Sequence, residues 1–251
     1  MTNAPFSPDR PSDYLEIVPY REEWVEEYRG IIIHLRTSFP ADAIFHHIGS
    51  TAVSGLAAKD IIDIQATVSS LDSVDADDLA RIGFFEWKGA SDHLPAGRTV
   101  SAQELTKRFF ICAHRRTNLH VRIAGYLNQR YPLLCRDYLR SHPVIAASYQ
   151  VIKERLISWF PGDAERYYDI KDPLFDVIMD GAEAWATLTG WCPPAPGWIS
   201  AMRVRATVYD LRVTAGLMTF VPKAFGSVPP DGTKAPTTSM VNAFGGNIVC
   251  T

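Results

Sequence analysis

Residues 44–68 restrict the fold more than any other stretch of this chain. Ile44-Phe-His-His-Ile48 is a short apolar run that reads as a strand; Gly49-Ser50 breaks it, and small residues continue to Ala58. A β-branched run from Ile61 to Val68 follows, carrying a single acid, Asp63. Strand, Gly-Ser turn, short helix and a strand whose acid faces the turn is one way to build a phosphate site. Gly49 lets backbone approach an anion, and the start of a helix offers free N–H groups. In that arrangement Asp63 is placed to hold a divalent cation that neutralises a triphosphate.

Spacing alone favours a simpler reading. A Gly-Ser pair between hydrophobic runs is most often an ordinary turn, and an acid in a strand most often caps or pairs locally. A longer pattern shifts that balance. The segment His47-Ile-Gly-Ser-Thr-Ala-Val-x-Gly-Leu-x-x-Lys-x-Ile-Ile-Asp63-Ile resembles the signature of the GrpB-like family. Further matching pieces follow in the same order: Val18-Pro-Tyr-Arg-Glu-Glu-Trp24, Asn118-Leu-His-Val121, and Leu133-Leu-Cys-Arg-Asp-Tyr-Leu-Arg140, with Cys135 where the family has Phe. Together they span Leu15 to Leu188.

The resemblance implies an α+β fold, a nucleotidyltransferase-like mixed β-sheet flanked by helices, with a C-terminal helical half. In some bacteria a domain of this family is fused to dephospho-CoA kinase. The implied function is a transferase that moves a nucleotidyl group from a magnesium-bound NTP, ATP foremost, to a small-molecule or protein acceptor. Two alternatives stand beside it: a non-catalytic nucleotide- or CoA-binding module, and a transferase of specialised metabolism that reuses the cleft. The implied catalytic residues are Asp63, also the metal ligand, and His120 on the Asn118–Val121 motif. The implied nucleotide or phosphate contacts are His47, Gly49, Ser50, Thr51 and Lys59, joined by Arg136, Arg140, Lys153 and Lys171.

Helical spacing gives those last four a face in common with their neighbours. Arg136 and Arg140 are four apart, as are Tyr149 and Lys153, and Tyr167 and Lys171. Such charges usually form a solvated face, yet arginine suits bidentate phosphate contact, so a triphosphate-lining role is the competing reading. Two-metal nucleotidyl transfer uses carboxylates two residues apart on one strand. Position 65 is Gln65, and Asp60 has the odd spacing that turns it to the other strand face. The family generally lacks this second acid as well. This chain departs further at Asp60 and Ser54, where the family has proline, and at His46, where it has Glu.

Other chemistries find less support. No Gly-x-Ser-x-Gly elbow or Walker A run is present, and His93, His114 and His120 lack zinc-ligand spacing. A net charge of −3 gives no reason to expect duplex nucleic acid or a membrane as partner. The four cysteines are far apart and read as reduced thiols. With no signal-peptide core in Met1–Asp13 and no apolar run of about 20 residues, the expectation is a cytoplasmic protein.

Along the chain, residues 1–13 read as a flexible leader, 14–190 as the family domain and 191–251 as a Pro/Gly-rich extension of unknown role. A strand is expected near Tyr14–Val18 and helices over Glu22–Phe39 and Asp72–Ile82. Paired strands are expected at Arg108–Cys112 and Leu119–Ile123, and helices from Leu127, over Val144–Trp159 and over Leu174–Leu188. The helix over 144–159 is expected to bury Val144, Val151, Ile152, Leu156 and Trp159; the last helix, Leu174, Val177, Ile178 and Trp185. In the extension, Arg203–Val208 alternates like an edge strand and residues 221–251 read as poorly ordered.

Overall fold

The computed structural model describes residues 15–112, 114–194, 209–214 and 217–222. Five strands form one mixed sheet in the order β1-β2-β5-β4-β3. They are β1 (Ile44–Ile48), β2 (Ile62–Val68), β3 (Phe85–Glu86), β4 (Arg108–Cys112) and β5 (Thr117–Ile123). Only the central β2–β5 pair is parallel; the pairs β1–β2, β4–β5 and β3–β4 are antiparallel.

Strict alternation in the two central strands gives the sheet two unlike faces. Ile62, Ile64, Ala66 and Val68 of β2 join Leu119 and Val121 of β5 on the apolar face, all of them buried. Helix α1 (Glu23–Leu35) lays Trp24, Ile31, Ile32 and Leu35 against that face. The opposite face carries Asp63, Gln65 and Thr67 beside Asn118, His120 and Arg122, aligned by the register Asp63↔Asn118 and Gln65↔His120. A polar face of this kind has to be covered by something that can pair with it.

The covering half is helical: α3 (Leu127–Ser141), α4 (Pro143–Trp159) and α5 (Ala164–Thr189). It has its own core, built from Leu134, Tyr138 and Leu139 of α3, Tyr149 of α4, and Ile178, Met179, Ala182 and Ala186 of α5. Small residues let α3 and α5 approach closely. A Cβ on Gly181 would meet the Tyr138 hydroxyl at 2.7 Å.

Several expected boundaries shift. The first helix ends at Leu35 and continues as a 3-10 turn over Arg36–Ser38. The Asp72–Ile82 helix is a 3-10 turn at Leu71–Ser73 followed by the six-residue α2 (Ala76–Arg81), capped by the Asp75 side chain on Asp77 N–H. Of the strand expected at Tyr14–Val18, Tyr14 lies outside the described residues, and the described ones show an isolated bridge, Val18 to Ala58. Helix α5 begins at Ala164, well before the expected start at Leu174, capped by the Asp163 carboxylate on Arg166 N–H, and it runs through Pro173. Val144, Val151 and Trp159 of α4 and Val177 of α5 are exposed; on α4 the buried face is the one that carries Tyr149, Lys153 and Leu156.

The expected strand at Arg203–Val208 lies outside the described residues. Just after it, Tyr209–Thr214 and Leu217–Pro222 pair as an antiparallel two-stranded sheet, β6–β7, so Val221 and Pro222 are strand residues. No helix among the described residues is long and apolar enough to cross a membrane.

Candidate functional site

The polar face of the sheet and the three helices enclose a cleft of about 590 Å³ at the carboxyl end of β1. Gly49, Ser50, Thr51, Lys59, Asp63 and His120 line it from the sheet side, with Arg136, Lys153 and Lys171 from the helices. Of the eleven residues singled out in the sequence, His47 and Arg140 do not reach the cleft wall; they stand behind it.

The turn at Gly49–Thr51 is held rigidly. Gly49 adopts φ 71°, ψ −173°, a conformation that side chains avoid. A 3-10 turn of only three residues, Ser50–Ala52, replaces the expected helix start, and Ala52 N–H bonds back to Gly49 O. So short a turn ends before a helix dipole can build up behind its N–H groups.

Behind the turn, His47 lies 3.0 Å from Thr51 Oγ1, and that hydroxyl donates to Ile61 O. Thr51 Oγ1 must then accept, which assigns the proton to His47 Nε2. The ring stacks on Tyr28 at 4.8 Å, and burial lowers its pKa to about 3. Arg136 donates from Nη1 to His47 O at 2.9 Å and from Nε and Nη2 to Asp137. Arg140 donates to Ala52 O from Nε and Nη2, at 3.0 and 2.7 Å. Both arginines thus reach the turn, where their donors meet its carbonyl groups and the Asp137 carboxylate.

On the sheet, Asp63 Oδ1 accepts from Asn118 Nδ2 at 2.8 Å, and His120 Nε2 stands 3.8 Å away. Burial would raise the Asp63 pKa, but His120, Asn118 and Lys59 together hold it below the ordinary carboxylate value. His120 Nδ1 faces Arg122 Nη2 at 3.3 Å. Because a guanidinium only donates, Nδ1 is the acceptor and the proton sits on Nε2, directed at Asp63. Burial, helped by Arg122, lowers the His120 pKa to about 4, so at neutral pH this is a neutral imidazole acting as a donor.

Gln65 is fully buried: its Oε1 accepts from Arg122 Nη1 at 2.8 Å and its Nε2 donates to Gln129 O at 2.9 Å. Arg122 continues to Asp92, which also takes Lys107 at 2.6 Å and Asn128 at 3.1 Å. Although burial opposes it, Arg122 and Lys107 hold the Asp92 carboxyl far below the usual range. Asp60 lies elsewhere, fixing the start of α1 through Trp24 Nε1 and pairing with Arg115 and Arg21.

These donors do not fit a magnesium centre. Asp63 offers one carboxylate, already bonded by Asn118; Gln65 is sequestered, and Asp92 is saturated by cations. No group of three or more His, Cys, Asp or Glu able to hold a metal occurs among the described residues.

Opposite Asp63 the wall is cationic and aromatic. Lys153 is buried, and its Nζ donates to Ser50 Oγ at 3.2 Å and Ala57 O at 2.5 Å, 4.6 Å from the Tyr149 ring centroid. Lys59 reaches the Tyr168 hydroxyl and lies over the Tyr167 and Tyr168 rings. Lys171 pairs with Asp172 at 3.0 Å and lies over Phe175. Burial, with Lys171 and Lys59 nearby, lowers the Lys153 pKa to about 7.

Asp92, Lys107, Asn118 and Arg122 were not singled out in the sequence. Arg122 and Asn118 share the strand face of His120, a signal present in the alternation of β5. Asp92 sits in an irregular loop, which no local pattern places in the cleft.

Comparison with known proteins agrees with this architecture. A model of the GrpB protein family matches residues 14–181. A dephospho-CoA kinase of Mycolicibacterium paratuberculosis is 34% identical over 197 residues, covering 71% of this chain and 48% of that protein. UPF0157 protein YqkA of Bacillus subtilis is 32% identical over 179 residues, 70% of this chain and 49% of that protein. The chain thus spans about half the length of these curated relatives. The crystal structure of conserved protein GrpB from Enterococcus faecalis superposes with a TM-score of 0.57 at 26% identity, over 68% of this chain and 99% of that one. With the family pattern matched from the leader of α1 well into α5, this chain belongs to the GrpB family.

Proposed function

We propose that the cleft binds a nucleotide-type ligand, with its phosphates against the Gly49–Ser50 turn and its organic part among Tyr149, Tyr167, Tyr168 and Phe175. One observation carries this reading: the buried ammonium of Lys153, within hydrogen-bond distance of Ser50 Oγ, meets no carboxylate within 4 Å among the described residues. A cation held out of water in this way is stabilised by an anion that comes with the ligand. Lys59 and Lys171 add charge at the same wall, and the aromatic rings offer stacking surface. That several relatives are named dephospho-CoA kinase is consistent with a nucleotide or CoA-type ligand.

Nucleotidyl transfer to a small-molecule or protein acceptor is a second reading, favoured by the ionised Asp63 beside the turn. In that case Asp63 orients the acceptor hydroxyl and neutral His120 fixes the carboxylate. Thermal-shift measurement with ATP, ADP, CoA and dephospho-CoA tests binding. Stabilisation of the wild type by at least one of them, lost in Lys153→Met, supports the proposal. No stabilisation by any of them contradicts it. Mass analysis of an acceptor mixture after incubation with ATP decides whether transfer accompanies binding.

A further inference from the structure

Resting on the nucleotide-binding reading, we infer that the ligand's phosphate enters this cleft without a divalent cation, and that Lys153 gains a proton as it binds. Lysine side chains thus occupy the role that a metal ion plays in other phosphate sites.

The donors on either side of the turn do not complete a metal site. Asp63 packs against the turn: its Oδ1 faces Asn118 Nδ2 and His120 Nε2, and its Oδ2 the place that a Cβ on Gly49 would take. Gln65, where a second acid would complete a metal pair, is closed off by Arg122. Asp92, the other carboxylate on the cleft wall near Gln65, is already paired with Arg122 and Lys107.

Lys153 has no acid of its own among the described residues. Its contacts are neutral: Ser50 Oγ, the Ala57 carbonyl and the Tyr149 ring. From α5 it faces Lys171 and, farther out, Asp172; from the segment before β2 it faces Lys59. On its own helix Glu154 is the acid that favours the charged amine, and Glu154 is bonded to Gln150. From α3 the Cys135 thiol, its pKa pushed up to about 12 by burial, contributes no negative charge. The buried phenols of Tyr149 and Tyr167 are likewise raised above their ordinary values and stay neutral. The free site therefore holds positive charges that repel one another, and the Lys153 amine titrates near neutrality.

A phosphate dianion reverses this balance. It attracts all three lysines and draws a proton onto Lys153 from solvent; no bond is made or broken besides that N–H. Above neutrality the free protein has lost this proton, so binding must restore it. Affinity then falls by about tenfold for each pH unit above roughly 8, and binding takes up close to one proton.

The test is titration calorimetry of ADP, whose terminal phosphate is already a dianion at pH 8, in EDTA at that pH and repeated in buffers of different ionisation enthalpy. The wild type is expected to bind it without metal and to take up about one proton per site. Lys153→Arg is expected to bind with no proton uptake, since a guanidinium stays charged. Lys171→Met removes a neighbouring like charge and is expected to move the uptake midpoint to higher pH. Binding that requires added magnesium overturns the inference while leaving the nucleotide reading intact. Binding in EDTA without proton uptake overturns the role of Lys153. Absence of binding with and without magnesium overturns both. The metal question rests on the wild type alone, so it is answered even if a variant fails to fold.

Discussion

Gly49 and Asp63 are packed backbone against carboxylate: a Cβ on Gly49 would stand 2.5 Å from Asp63 Oδ2 and 3.0 Å from its Cβ. The glycine is required here both by this contact and by its φ of 71°. Gly49→Ala must therefore displace the turn or the acid, and neither is free to move. The expected cost is about 2–4 kcal/mol, from left-handed strain plus overpacking. Chemical denaturation measures it; a loss under about 0.5 kcal/mol contradicts the geometry.

Asp63→Asn keeps the shape and removes the charge. Its remaining carbonyl can still accept from Asn118, so the loss of stability is expected to be modest, about 1–2 kcal/mol at pH 7. Because that charge faces the phosphate position, its removal should leave ADP affinity unchanged or improve it. A tenfold or greater loss of affinity would show that the carboxylate acts on the ligand, directly or through a metal.

Arg136→Ala removes the donors to His47 O and leaves Asp137 with fewer partners. The expected result is destabilisation of about 3 kcal/mol, since a buried charge network is broken from one side. Phosphate affinity, compared at a temperature where both proteins are folded, should change far less than in Lys153→Met. The opposite ranking would assign Arg136 to the ligand.

Acid stability follows from the buried imidazoles. Burial lowers His46, His47 and His120 to about 4, 3 and 4. For His46, the Pro194 carbonyl and Asp137 only partly offset that effect. Each contributes stability that is complete above the unfolded value of about 6.5 and declines as pH falls toward 4, because the unfolded chain takes the proton first. The depressed carboxylates, Asp63 and Asp92, act lower: their contribution holds above about 3.9 and is lost as pH falls through their folded values. Denaturation midpoints between pH 7.5 and 4.5 should drop steeply, and His46→Phe should flatten part of the slope. A constant midpoint over that range contradicts the buried neutral state.

The strands were legible as apolar and β-branched runs, and the resemblance implied one mixed sheet; the alternation within β2 and β5 is what gives that sheet an apolar and a polar face. The turn was legible from Gly49 and its neighbours. What the sequence hid was long-range. Asp92 enters the polar network only because its loop folds over β5, and Arg122 alternates with His120 yet gave no sign that it would close off Gln65. The last helix was expected only from Leu174, although α5 starts at Ala164 and passes through Pro173. Val144, Val151 and Trp159 fall at helical spacing but on the outer side of α4, because periodicity gives a stripe and not the direction in which it faces.

The most direct test of the central claim is a crystal structure of the protein with ADP bound in EDTA. The account predicts the terminal phosphate within hydrogen-bond distance, about 3 Å, of Lys153 Nζ and Ser50 Oγ, with no metal between it and Asp63. A phosphate bound through a metal on Asp63, or seated away from the Gly49–Ser50 turn, would contradict it.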